Sequence, residues 1–170
     1  MSDERLCNPI STAELERRWA AVRAAMPEQK LDALIIQGAN NLCGTGGYFR
    51  WFTGVSMGTS YPATVIFPRD GLMTLVSHGP MGVERDFGGK DAVWRGVGKW
   101  LPTASFPAID YCIPYDAERV ASAIKKAGYR NVGIVAWNNM LFGFGDTLRK
   151  LLDGVKLSDA TRIIGLSTTS

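Results

Sequence analysis

Histidine is nearly absent from this 170-residue chain, where His78 stands alone. No Asp or Glu lies within five residues of it on either side. A zinc or two-metal centre needs three or more His, Cys, Asp or Glu side chains converging on one point, and no segment here supplies them. Cysteine is sparse as well. Cys7, Cys43 and Cys112 are odd in number, widely spaced and without a Cys-x-x-Cys pair, which excludes a zinc ribbon and a thioredoxin-like redox pair. Three free thiols in a reducing, cytoplasmic compartment are expected. Long apolar runs are also missing: nowhere do about eighteen apolar residues follow one another, so no membrane span is expected. The segment Met1 to Asn8 carries Asp3, Glu4 and Arg5 and lacks the apolar stretch of a secretory signal. Strong charge of one sign is lacking too. The net charge is +3 and the 19 Lys and Arg are scattered, which argues against a nucleic-acid partner.

What is present is the composition of one soluble domain, with 46% hydrophobic and 21% charged residues. Leu15, Trp19, Val22 and Met26 recur at helical spacing, predicting a helix over about Thr12 to Met26, capped by Ser11 or Thr12 and stopped by Pro27. Leu31 to Gln37 is a short apolar run and predicts a buried strand. Gly38 to Gly58 reads as irregular. Tyr61 to Phe67 and Leu72 to Ser77 predict two strands joined by a tight turn at Pro68-Arg69-Asp70-Gly71. Met81 to Asp86 suggests a short helix, Val93-Trp94 an edge strand and Ala108 to Ile113 another strand. Asp116 is placed to cap a helix through Ala127, with Val120, Ile124 and Ala127 on its inner face and Gly128 as its stop. Val132 to Ala136 predicts a buried strand, Leu141 to Leu152 a helix ended by Gly154, and Val155 to Leu157 a last strand. The fold class expected is α/β: a three-layer α/β/α sandwich around a mixed sheet of about five or six strands.

Chemistry-bearing motifs are few. No Gly-x-Ser-x-Gly elbow exposes a serine, and a Ser-His-Asp triad would have to use His78, which reads as a strand-end residue or as one facing a ligand or partner. Cys43 lies in a glycine-rich stretch without a second histidine to activate it, leaving a free-standing thiol enzyme as the weakest reading. Gly44 to Gly47 invites a phosphate-loop reading, and with it a small-molecule or nucleotide-binding module. Yet no lysine occurs between Lys30 and Lys90, and Phe49 stands where a dinucleotide fold needs its last glycine. The run Tyr48, Phe49, Arg50, Trp51, Phe52 is aromatic on both parities, so one strand could not bury it all. Either part of it faces a partner, where aromatics and Arg supply most binding energy, or the loop folds back over the core.

Glu16 to Arg23 followed by Leu31 to Ile36 resembles the opening helix and strand of the creatinase, prolidase and aminopeptidase P superfamily. Asn40-Asn41 and then Trp51-Phe52-Thr53-Gly54 resemble that family's asparagine and aromatic-x-Thr/Ser-Gly segment. The hairpin Tyr61 to Ser77, Gly133 to Val135 and Leu157 to Ala160 follow in the family's order. The resemblance covers nearly the whole chain, residues 1–170, as an N-terminal domain with a ribonuclease H-like motif. It implies that catalysis by a two-metal centre belongs to a following pita-bread domain. No residue of this chain corresponds to those ligands, so no catalytic and no metal-binding residue is expected here and no cofactor of its own. Two arrangements fit: a fragment of a longer metallohydrolase, or a free-standing relative that lost its catalytic half. The resemblance further implies a homodimeric parent acting on a peptide or small molecule through its other domain. In creatinases an arginine just before the hairpin reaches the substrate; here Arg and Lys are absent between Arg50 and Arg69, with Ala63 in that region, so Xaa-Pro peptide hydrolysis fits the parent better. Tyr48, Arg50, Trp51, Tyr61 and His78 are the residues expected to face substrate or partner.

Overall fold

The computed structural model describes residues 10–39, 47–57, 61–80, 82–104 and 113–166. The first helix, α1, spans Thr12–Ala25 and begins where expected: the Ser11 hydroxyl accepts from the Glu14 amide at 3.2 Å. Glu14 then receives Arg17 and Arg18, each at 2.8 Å, and these guanidiniums hold its carboxyl down at about 2. Leu15, Trp19 and Val22 form the buried stripe. Pro27 does not end the helical path but enters a 3₁₀ turn over Met26–Gln29, its missing N–H costing nothing in a first turn.

Among the described residues seven strands form one mixed sheet. They are β1 (Ala33–Gly38), β2 (Ala63–Pro68), β3 (Met73–His78), β4 (Arg85–Asp86), β5 (Val97–Thr103), β6 (Asn131–Val135) and β7 (Lys156–Asp159). Their spatial order is β4-β5-β3-β2-β1-β6-β7. β1 runs parallel to β6 and β6 to β7, β3 runs parallel to β5, and β2 is antiparallel to both of its neighbours. The hairpin stands as expected, with Ala63 opposite Ser77 and Ile66 opposite Thr74. Asp32 ties the start of β1 to β6: its carboxylate accepts from the Arg130 and Asn131 amides at 2.9 Å each, chiefly the Asn131 bond holding its pKa down.

Alternate residues of the strands feed two cores. On one face Leu34, Ile36, Val65, Phe67 and Leu75 pack with α1 and with α2 (Gly47–Thr53) and α5 (Ile163–Leu166). On the other, Ile35, Ile66, Val76 and Leu101 pack with α3 (Ile113–Ala127) and α4 (Phe142–Leu151). The three-layer α/β/α architecture is therefore present, with seven strands among the described residues where about five or six were expected.

Several local expectations are corrected. The stretch expected to be irregular contains α2, whose Phe49 and Phe52 are fully buried. At about 1.5–3 kcal/mol for each such ring, core packing is their main task. Arg85–Asp86 is a short strand paired with β5, not part of a helix from Met81, a residue outside those described. Val93 and Trp94 form a turn closed by the Asp91 carboxylate, which accepts both amides at 2.9 and 2.7 Å; the strand begins at Val97. It runs on through Gly98 and Pro102, tolerated because its other neighbour, β4, is only two residues long. Ala108 to Cys112 lie outside the described residues, and Ile113 opens α3 rather than closing a strand. Val120 and Ile124 are buried as expected, whereas Ala127 is exposed. Gly128 takes the left-handed conformation after α3, at φ +73°.

Candidate functional site

The parallel strands share a direction, so β1, β3, β5 and β6 all end at one edge of the sheet, where β2 begins. In open α/β sheets this carboxyl edge is the usual place for a ligand or a partner. His78 closes β3 and Tyr61 precedes β2, and the hairpin register brings their rings together at 4.7 Å between centroids, tilted by 33°. Both are half-buried. Next to them in the sheet, Thr103 is the register partner of His78 across β3 and β5.

Thr103 donates its hydroxyl hydrogen to Asp116 of α3 at 2.5 Å, and the two residues are buried. Burial pushes the Asp116 carboxyl up to about 6, the Thr103 hydrogen bond opposing part of that rise. Asp116 therefore does not cap α3 as the sequence suggested. It sits inside the first turn and is drawn onto the sheet. Sequence reading could not give it this role, because its partner Thr103 belongs to a strand masked by Gly98 and Pro102.

Tyr48, Arg50 and Trp51 form a second group, carried by α2. Trp51 lies beneath the Arg18 guanidinium, 5.2 Å from its centroid, and packs edge-on to Phe52 at 5.0 Å; Arg18 also donates to the Trp51 carbonyl at 3.2 Å. Tyr48 and Trp51 are half-buried against the core that Phe49 and Phe52 enter. The five residues expected to face substrate or partner thus fall into two groups, Tyr61 with His78 at the sheet edge and the other three on α2. The Thr53-Gly54 pair after Trp51 has a plain structural task. The Thr53 hydroxyl donates to the Phe49 carbonyl at 2.8 Å and accepts from the Val55 amide at 3.1 Å, and Gly54 turns the chain at φ +74°.

Among the described residues no group of three or more His, Cys, Asp or Glu could hold a metal ion. The one histidine is engaged with an aromatic ring, and Asp116 has a threonine rather than a second carboxylate beside it. The described donor set does not fit a two-metal centre. Cys7, Cys43, Cys112 and Gly44 to Gly46 lie outside the described residues. No helix among the described residues is long and apolar enough to cross a membrane.

This arrangement of layers and strands is shared with known proteins. The family model for the creatinase/prolidase N-terminal domain matches residues 18–165, and the chain belongs to that family. Among solved structures it is similar to an Xaa-Pro aminopeptidase from Streptococcus pyogenes, with 17% identity, a TM-score of 0.61, and 92% of this chain and 99% of that one covered. It is similar to the N-terminal domain of cytoplasmic peptidase PepQ from Mycobacterium tuberculosis H37Rv, with 18% identity, a TM-score of 0.54, and 89% and 98% covered. A recombinant prolidase from Thermococcus sibiricus shares the fold at 13% identity and a TM-score of 0.61; 91% of this chain is covered but only 36% of the prolidase. This chain thus spans about a third of that prolidase's length. A search of curated protein sequences gave no match.

Proposed function

We propose that this chain is the non-catalytic N-terminal domain of an Xaa-Pro peptidase-like metallohydrolase, and that it serves assembly and access to an active site carried elsewhere. The observation that supports this reading most is the family match over residues 18–165. In this reading hydrolysis and its two-metal centre belong to a further domain, as the prolidase of which only 36% is covered suggests. The carboxyl edge, where the Tyr61 ring is tilted against His78, is its surface toward substrate or a neighbouring subunit, with Tyr48, Arg50 and Trp51 carried on α2. In this reading the parent is a homodimer, and a place in the cytoplasm is supported by one relative described as a cytoplasmic peptidase. The test is whether the purified chain, supplied with divalent metal, cleaves an Xaa-Pro dipeptide; this reading expects no cleavage.

A further inference from the structure

A cavity of about 660 Å³ lies at the other end of the sheet, between α1 and the loop that joins β4 to β5. That volume is within the range of small-ligand sites. One wall is the α1 stripe bearing Glu16, Trp19 and Arg23, and Lys90 and Arg95 lie on the loop opposite. The wall is firm. The Trp19 indole N–H donates to the Phe52 carbonyl at 2.8 Å, and its ring lies so close to Gly96 that a Cβ there would stand 2.5 Å from it. Arg95 is only 6% exposed, and its guanidinium donates to the Ile10 carbonyl at 2.7 Å.

The charges of this cavity are incompletely used within the chain. Asp91 is occupied by two loop amides. Glu16 and Lys90 both line the cavity, yet neither forms an ion pair or side-chain hydrogen bond among the described residues, including with each other. Arg23 donates to the carbonyls of Pro68 and Gly71 and meets no carboxylate at ion-pair distance among the described residues; burial lowers its pKa. An acid and two cations thus border one space without neutralising one another. Glu16 and Arg23 are two helical turns apart, about 10 Å along the axis. Three extended residues span about the same length.

We propose that this cavity binds a short peptide with free ends, of two or three residues, its ammonium on Glu16 and its carboxylate toward Lys90 and Arg23. Trp19 and Leu72 offer its side chains an apolar wall. Charge-assisted hydrogen bonds at the two ends supply the selectivity for unblocked termini. The inference goes beyond the reading of the chain as a domain without catalysis and does not depend on it, because none of these residues belongs to the carboxyl edge.

The experiment is an amide and indole NMR titration of the whole chain with triglycine, N-acetyl-triglycine and triglycinamide. Triglycine should shift the Trp19 indole and the Gly89 and Gly96 amides saturably. Blocking either peptide end should weaken binding by about fivefold or more, and so should Glu16→Gln or Lys90→Gln, both exposed positions whose exchange should leave the melting temperature unchanged. No saturable shift up to about 10 mM triglycine would overturn the proposal, a concentration well above the millimolar Kd of a weak ligand. Equal binding of the blocked peptides, or of the two variants, would overturn it as well. Peptide cleavage, followed in the same tubes, reports separately on the domain's lack of catalysis.

Discussion

The Thr103 hydroxyl and the Asp116 carboxylate are joined at 2.5 Å across the interface of β5 and α3, and both residues are buried. Asp116 is raised from 3.8 to about 6 in the folded chain, so between those values the folded state holds a proton that the unfolded state has released. Its contribution to stability is thus present at about pH 4 and falls as pH rises through about 6, by on the order of 2–3 kcal/mol. Urea unfolding of wild type and Asp116→Asn across pH 4 to 7 should show this: the difference in stability between the two shifts against wild type as pH rises. Parallel curves would contradict it.

Asp32 has the opposite sign. Its pKa is lowered by the amides of Asn131 and Arg130, so the stability it lends is present above about pH 4 and is lost as pH falls. Asp32→Ala leaves two amides without their acceptor and should cost about 1.5–3 kcal/mol at pH 7, less in acid. Denaturant midpoints at pH 7 and pH 3 measure both.

Gly38 closes β1 where Phe49 of α2 crosses it; a Cβ there would lie 2.6 Å from the Phe49 Cβ. Backbone-linked atoms cannot yield that distance without moving α2. Gly38→Ala should destabilise the domain by about 1–3 kcal/mol, and near-ultraviolet dichroism should change with it, because the Phe49 and Trp94 rings meet edge-on at 6.2 Å. An unchanged spectrum and midpoint would show that α2 is not wedged.

How much of this was legible depends on whether the cause is local. The turn Pro68 to Gly71 and the Leu15-Trp19-Val22 stripe were readable because their physics lies within a few residues. α2 was not, since a seven-residue helix between glycines carries too few turns to show its period. β5 was hidden by Gly98 and Pro102, which only its place beside the two-residue β4 makes tolerable. The same holds for the site. His78 and Tyr61 were expected to face substrate or partner from sequence, but their ring contact comes from the hairpin register, and the burial of Asp116 comes from a strand the sequence concealed.

Assembly through the carboxyl edge is tested by sedimentation over a range of concentrations. Self-association should be weakened by Tyr61→Ala or His78→Ala, each costing only about 0.5–1.5 kcal/mol of fold stability through the lost ring contact. Association unaffected by either exchange would move the interface elsewhere.

In the proposed function these residues carry no hydrolytic centre of their own. The most direct measurement is the rate of Xaa-Pro dipeptide cleavage by the pure chain with manganese, cobalt or zinc added, with and without a chelator. The same background rate is expected in every tube. Cleavage that scales with the chain's concentration and is abolished by the chelator would contradict it.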